Sequence, residues 1–348
     1  MFSFETNILL SALTTFIISV VFIPRFIKLA SKFRLLDFPG KRASHKKGVP
    51  ILGGIPMFIG LIFSLLIWSD IQEIIPILLV LIIIFIVGLI DDLISLQPLS
   101  KLFFQIFSIL ILIYFQDLKI HSMCGVLGIY ELPTFISILF TVFVVVVIVN
   151  SFNLVDGVDG LAGVLGTISS FTFGVIAYFM NQYHIAILAF SISGSLLAFL
   201  IYNMHPARLF MGDTGSLVIG MGLSILALNI IQEGVMIEGI KHLPNKGPLI
   251  AISLLAIPLF DSLRVFIYRY LKGRHPLYPG RDHFHHALLD LGYGHARTTF
   301  IISLISIFTI IITYYLLEKN VNTGIFILAV INYAFLFLPY LVKKYRKR

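Results

Sequence analysis

The stretch Phe135-Ile-Ser-Ile-Leu-Phe-Thr-Val-Phe-Val-Val-Val-Val-Ile-Val149 leads, after three residues, into Asn153-Leu-Val-Asp-Gly-Val-Asp-Gly-Leu-Ala-Gly163. The first part has two hydroxyls and no charge, as a membrane-spanning helix requires. The second brings two carboxylates and an amide together among three glycines. A chain leaving a membrane core does not need such a cluster. A solvated turn explains one Asp-Gly step, but two such steps beside Asn153 ask for more. Unit charges about 4 Å apart interact by about 4 kcal/mol at an effective dielectric of 20, so close carboxylates call for a cation. The stretch therefore reads as a membrane-edge site for a cation and a phosphate.

The rest of the chain has the same character. Of its 348 residues 58% are apolar and 12% charged, and mean hydropathy is +1.00. Soluble domains carry about 25% charged residues. This composition predicts an all-α polytopic membrane protein forming a single transmembrane domain over residues 1–348. The first apolar run, Ile8 to Ala30, is too long for the core of a signal peptide and lacks a basic flank, so it is expected to be retained as a helix. One cysteine, Cys124, excludes an intrachain disulfide framework and argues against a cysteine-based zinc site.

Apolar length predicts eleven transmembrane helices, at about 8–30, 51–69, 74–90, 102–116, 134–152, 163–180, 184–203, 216–233, 249–270, 298–317 and 324–342. Alternation then puts the segments 31–50, 91–101, 153–163, 204–215, 271–297 and the C-terminal tail on one face. That face holds 17 of the 25 Lys and Arg. The opposite face holds Lys119, Lys241, Lys246 and Lys319. The positive-inside rule makes the basic face cytoplasmic, with the N-terminus outside and the C-terminus inside. Every unusual polar cluster falls on this face, although apolar length and charge alone made the assignment.

Asp91-Asp92 closes the third helix, where acids oppose the helix dipole unless something uses them. Lys101 follows at the start of the next helix, either as an interfacial lysine or as a counter-charge to phosphate. Phe210-Met-Gly-Asp213-Thr214-Gly-Ser216 precedes the eighth helix. Asp213 or Thr214 fits a helix cap there, and the glycines allow close approach of a phosphate. Phe210 is a candidate to stack on a base, or simply a buried ring. The loop 271–297 carries Arg281, Asp282, His283, His285 and His286, which suit contact with an anion, a zinc ion or solvent. Lys46, Lys47 and the Gly-Val-Pro and Gly-Gly steps enter the second helix. Asp261 is an intramembrane acid, most simply paired with Arg264 three residues on. P-loop, dinucleotide-fold, zincin and hydrolase signatures are absent.

Five motifs in this order resemble the polyprenyl-phosphate N-acetylhexosamine-1-phosphate transferase superfamily, glycosyltransferase family 4. They are Lys47-Gly-Val-Pro-Ile-Leu-Gly-Gly, Gly88-Leu-Ile-Asp-Asp, Asn153-Leu-Val-Asp-Gly-Val-Asp-Gly-Leu-Ala, Phe210-Met-Gly-Asp-Thr-Gly-Ser and Arg281-Asp-His-Phe-His-His. The resemblance covers about residues 24 to 297. His283-Phe-His-His and Pro258-Leu-Phe-Asp-Ser-Leu-Arg look like the undecaprenyl-phosphate alpha-N-acetylglucosaminyl 1-phosphate transferase branch, which starts lipid-linked surface polysaccharides such as lipopolysaccharide O-antigen or teichoic acid. The muramyl-pentapeptide branch, the alternative donor specificity, usually has three consecutive histidines.

The resemblance implies transfer of a hexosamine-1-phosphate, chiefly GlcNAc-1-phosphate, from a UDP-N-acetylhexosamine to undecaprenyl phosphate, with Mg²⁺ (Mn²⁺ as substitute). It implies Asp213 and Asn153 as metal ligands, and Asp91, partnered by Asp92, as base toward the lipid phosphate. A shared cation or lysine positions that acceptor equally well, because a phosphate monoester is already largely deprotonated at pH 7. It further implies Lys47 and Lys101 facing phosphate, Asp159 and Phe210 facing uridine, Asp156 beside the donor phosphates, and Arg281, His283, His285 and His286 on the sugar phosphate. The expected location is the bacterial inner membrane with a cytoplasmic site. Membrane lipids and a second copy of the chain complete the expected partners, with no nucleic acid. An ion-coupled transporter, the alternative of another class, would need its acids near mid-membrane. Here all but Asp261 lie at one face.

Overall fold

A computed structural model describes residues 4–37, 48–237, 241–243, 245–275 and 280–346. Every predicted span corresponds to helix. These helices are α1 (Phe4–Phe33), α2 (Gly54–Trp68), α3 (Ile71–Ile94), α4 (Pro98–Gln116), α5 (Thr134–Val155), α6 (Leu161–Phe179), α7 (Tyr183–Asn203), α8 (Gly212–Glu233), α9 (Gly247–Leu254), α10 (Ala256–Leu271), the short α11 (Phe284–Asp290), α12 (His295–Leu316) and α13 (Val321–Arg346). Among the described residues, nine helices are long and apolar enough to cross a membrane. Two predicted spans depart from a simple crossing. The second is only the 15 residues of α2, and the ninth is the pair α9–α10, bent by 80°.

The break in the ninth span has a local cause. Pro258 lacks the N–H that would close a helical bond to the Leu254 carbonyl. Ser169 Oγ of α6 donates to that carbonyl instead, at 2.6 Å. Leu255, between the two helices, has φ −111° and ψ 17°. A freed carbonyl at membrane depth needs such a partner, because no water is there to provide one.

Helix α8 is the centre of the bundle. The most apolar stretch of α8 is 89% buried, against 22% for that of α13. It touches α2, α3, α5, α6, α7 and α9. Small residues allow these approaches. A Cβ at Gly88 on α3 would lie 2.6 Å from Thr214 Cα, and one at Gly54 on α2 would lie 2.2 Å from Gly215 N. Both substitutions would force α8 away from its neighbours. The outer helices expose Leu, Ile and Phe side chains such as Ile17, Phe107 and Phe326, the surface a lipid tail meets.

Short antiparallel pairs close the ends. Strand β1 (Leu36–Asp37) pairs with β2 (Val49–Pro50), and β3 (Val235–Ile237) with β4 (Lys241–Leu243) at the far end of α8. The chain from β2 into α2 is tied to the entry of α8. Phe210 N donates to Pro50 O at 2.7 Å, Gly53 N to Phe210 O at 3.0 Å and Gly54 N to Met211 O at 2.9 Å. The starts of α2 and α8 and the end of α3 thus form one rigid corner.

Candidate active site

The connections α3–α4, α5–α6 and α7–α8 and the start of α12 meet at one end of the bundle. They bring together residues that sequence separates by more than a hundred positions. Lys101, at the start of α4, donates to Asp91 Oδ2 and to Asp213 Oδ2, both at 2.8 Å. Asn153 Nδ2, on the last turn of α5, donates to Asp213 Oδ1 and to Ser216 Oγ, both at 2.8 Å. The Asp213 and Lys101 side chains stay 27% and 25% exposed, enough to face a ligand. Asp91 is more enclosed and takes Leu96 N–H on its second oxygen, at 2.7 Å.

Asp92 is adjacent in sequence but differently employed. Its carboxylate accepts the backbone N–H groups of Asp213 at 2.8 Å and Thr214 at 2.9 Å, and the Thr214 hydroxyl. It therefore caps the N-terminus of α8 from another helix. This corrects the expectation that Asp213 or Thr214 caps α8 with its own side chain. The helix begins at Gly212, so both lie inside its first turn, where their N–H groups need an acceptor. With its cap supplied from α3, α8 leaves the Asp213 carboxylate turned toward Lys101 and Asn153.

The stretch after α5 splits in the same way. Asp156 keeps partial contact with solvent but is ringed by protein. That enclosure, with the charges of Asp213, Asp92 and Asp159, pushes its carboxyl up to about 7. Asp159 is buried at 7% exposure. Burial alone would raise its pKa, but hydrogen bonds from His295 and His205 and the Ala207 N–H outweigh it and hold the group at about 2. His205 Nδ1 lies 2.7 Å and Ala207 N 3.1 Å from Oδ2, and His295 Nδ1 lies 3.1 Å from Oδ1. Both Asp159 oxygens are thus occupied by the protein. Phe210, half-buried, stands at the corner between β2 and α8.

The histidine loop forms a second wall. Asp261 and Arg264 make the anticipated ion pair, Nη2 to Oδ1 at 2.6 Å. Asp261 also holds His283 Nδ1 at 2.9 Å and accepts Phe284 N–H at the start of α11. Arg264 and Tyr340 of α13 both donate to the Asp282 carbonyl, at 2.7 and 2.8 Å. His285 is buried, and a Cβ at Gly157 would lie 2.9 Å from its Nε2, so the loop packs under the turn that carries Asp156. Burial, then the neighbouring His286, lowers His285 to about 3. Burial and Arg281 lower His286 to about 4, and its Nδ1 is buried without a partner. Arg281 is exposed, 3.6 Å from Asp290. Lys47 lies outside the described residues.

One group among the described residues has the spacing of metal ligands: Asp159, His205 and His295. The histidine loop, for which zinc was one of the readings from sequence, is not such a group among the described residues. Sequence reasoning passed over His205, His295 and Tyr340. His205 stands in Asn203-Met-His-Pro, just before the Phe210 motif, which was the available signal; His295 and Tyr340 had none.

A helical membrane bundle that gathers lysine-bridged carboxylates and an asparagine at one end defines a multi-pass membrane protein. Residues 74–231 match the model of glycosyl transferase family 4. The chain is 30% identical to the probable undecaprenyl-phosphate N-acetylglucosaminyl 1-phosphate transferase of Bacillus subtilis (strain 168), over 93% of this chain and 87% of that protein. It is 32% identical to the undecaprenyl-phosphate alpha-N-acetylglucosaminyl 1-phosphate transferase of Pasteurella multocida (strain Pm70), over 82% and 79%. It is 30% identical to the decaprenyl-phosphate N-acetylglucosaminephosphotransferase of Mycolicibacterium smegmatis, over 79% and 74%. The chain belongs to glycosyl transferase family 4.

Proposed function

We propose that the chain transfers N-acetylglucosamine-1-phosphate from UDP-N-acetylglucosamine to undecaprenyl phosphate, releasing UMP. The proposed setting is the cytoplasmic face of a bacterial inner membrane, as the first lipid-linked step of a surface polysaccharide. The observation that carries this reading is Lys101 bridging Asp91 and Asp213, with Asn153 on the other oxygen of Asp213. Phosphoryl transfer asks a protein mainly for positioning and charge neutralisation. Lys101 already stands as a cation between two carboxylates, and carboxylate and amide oxygens are the set Mg²⁺ takes beside substrate phosphates; Asn153, whose Nδ2 now faces Asp213, would turn its amide oxygen to the ion. Asp213 and Asn153 would hold that ion, which when bound neutralises the donor diphosphate.

The chain's own residues then divide the work. Asp91 and Lys101 position the acceptor phosphate. Asp92 keeps the first turn of α8 formed and so aims Asp213. Asp156, on the turn after α5, lies beside the donor phosphates or supports that loop. Phe210 lines the nucleoside side. Asp159 serves that side through His205 and the loop it holds, since its own oxygens are occupied. Arg281 and Lys47 contact phosphate, and the histidine loop shapes the sugar pocket.

The test is purified protein with Mg²⁺, undecaprenyl phosphate and a panel of UDP-sugars, following UMP and lipid product together. Equal amounts of both from UDP-N-acetylglucosamine support the reading. UMP without lipid product, or product only from the muramyl-pentapeptide nucleotide, rejects it. Sidedness is tested by labelling Arg208→Cys in a background where Cys124 is replaced. Labelling from the outside alone would invert the topology.

A further inference from the structure

Lys101, Gln105 and Ser108 stand four and three residues apart on α4 and so share one face. Val146, Asn150 and Asn153 share a face of α5 in the same way. The two faces meet in a hydrogen bond. Asn150 Nδ2 donates to Gln105 Oε1 at 2.8 Å and to the Val146 carbonyl at 2.7 Å. This amide pair lies one helical turn from the level at which Lys101 and Asn153 take the two oxygens of Asp213, both at 2.8 Å. The result is a closed frame. Asp213 forms one crossbar and the amide pair the other, and one turn each of α4 and α5 makes the sides.

Stability does not account for the amide pair. Gln105 is fully buried, and its Nε2 has no partner among the described residues; nor has Ser108 Oγ, one turn further on. An amide N–H without an acceptor is costly where no water reaches it. Asn150 is on the exposed face of α5, in line with Phe143 and Leu154, where an apolar side chain would suit lipid better. Nor does Asn150 reach for headgroups. A helical side chain leans toward the N-terminus of its helix, and this one bonds a carbonyl a turn further from the site.

The crossbar at Asp213 has to open in use. Asp213 and Asn153 make up the oxygen site, and Lys101 turns to phosphate, so the bonds these three share give way to bonds with ligands. The amide pair takes no part in that exchange and keeps α4 and α5 in register through it. We propose that Gln105 and Asn150 are positioning residues for the transfer reaction. Their bridge holds the turn of α4 that carries Lys101 against the turn of α5 that carries Asn153 while Asp213 exchanges partners. This role rests on the transfer reaction proposed above.

The test is steady-state kinetics with UDP-N-acetylglucosamine and undecaprenyl phosphate, run beside melting temperatures, on the full chain in detergent. The variants are Asn150→Leu, Gln105→Met, the two combined, and the swapped pair Gln105→Asn with Asn150→Gln. Asn150→Leu replaces an exposed amide on a lipid-facing surface, and Gln105→Met keeps the length of the buried one. Both should therefore melt no lower than the unaltered chain. The kcat should fall roughly ten- to a hundredfold in each, as small misplacements of reacting groups do, with KM for the UDP-sugar kept within about threefold. The combined variant should lose no more than the worse single one, because either change alone breaks the bridge. The swapped pair restores two amides of the same total length and should recover most of the lost turnover. If Gln105→Met fails to fold, Asn150→Leu and the swapped pair decide the matter. An unchanged kcat in Asn150→Leu, kcat and melting temperature falling together, or a swapped pair no better than the combined variant overturns the proposal. Absence of UMP release by the unaltered chain rejects the transfer reaction and this role with it. An active unaltered chain with unaffected variants rejects this role alone.

Discussion

Two walls of the site use acids and cations in opposite ways. On the wall built by α3, α4, α5 and α8, Asp213 and Lys101 remain about a quarter exposed and share partners across three helices. On the wall built by α10, α11 and α13, Asp261 and Arg264 are 5% and 6% exposed and bond to each other and to the loop backbone. The first wall leaves charge facing open space. The second neutralises its charge internally and fixes the shape of a loop. An ion pair that closes on itself is scaffolding; one shared through a half-exposed lysine can exchange partners with a ligand. The sequence motifs put His283, His285 and His286 of the second wall on a ligand, while Asp261 was expected to pair with Arg264, as it does.

The sharpest way to break this comparison is at Asp213. Replacement by Ala should lower Mg²⁺-dependent UMP release roughly a thousandfold while membrane insertion is kept. Full activity would move the oxygen site elsewhere. Next is Asp91→Asn, which leaves Lys101 one anionic partner. Turnover should fall by about a hundredfold, and UDP-sugar affinity by less than about tenfold. A collapse of nucleotide affinity instead would put Asp91 in the donor site.

Asp92→Ala should act through stability, because it strips the first turn of α8 of its acceptor. A loss of about 1–3 kcal/mol is expected, read as a lower melting temperature that Asp92→Asn partly recovers. Lost turnover with unchanged melting would place Asp92 in the chemistry.

The histidine wall should answer to pH. Folding lowers His285 to about 3 and His286 to about 4 from an ordinary 6.5, so the unfolded chain binds more protons between those values. Stability should therefore fall as pH drops below about 6.5, by at most about 1.4 kcal/mol per pH unit for each histidine, with no contribution above neutrality. His285→Gln should flatten this slope in a melting-temperature series from pH 8 to about 5. An unchanged slope would mean that His285 is charged in the folded chain. The smallest effect is expected of Tyr340→Phe. It removes one hydrogen bond to Asp282 O, about 1 kcal/mol, and should raise the KM for UDP-sugar a few-fold. A loss as large as that of Asp91→Asn would erase the distinction between the walls.

The helices were legible because hydrocarbon leaves a backbone no other partner, so apolar length predicts helix directly. The break at Leu255 was signalled by Pro258, but its repair by Ser169, 85 residues away, was not. Asp91 and Asp92 look equivalent in sequence. On a helix, neighbours point about 100° apart, and here one faces Lys101 while the other faces the start of α8. Asp159 looked like a free ligand group until the fold brought His205 and His295 to it. The second of these lies 136 residues away, outside any histidine-rich stretch.

By itself the sequence determined the membrane-spanning character, the helical class, the family resemblance and the gathering of polar motifs at one end. These depend on residue type and local order, which hydropathy and spacing carry. The tertiary structure decided which oxygen meets which cation, which acid caps a helix and which charges stay open to a ligand. Those outcomes depend on how side chains from distant helices face one another across a few ångströms, and no local pattern encodes that.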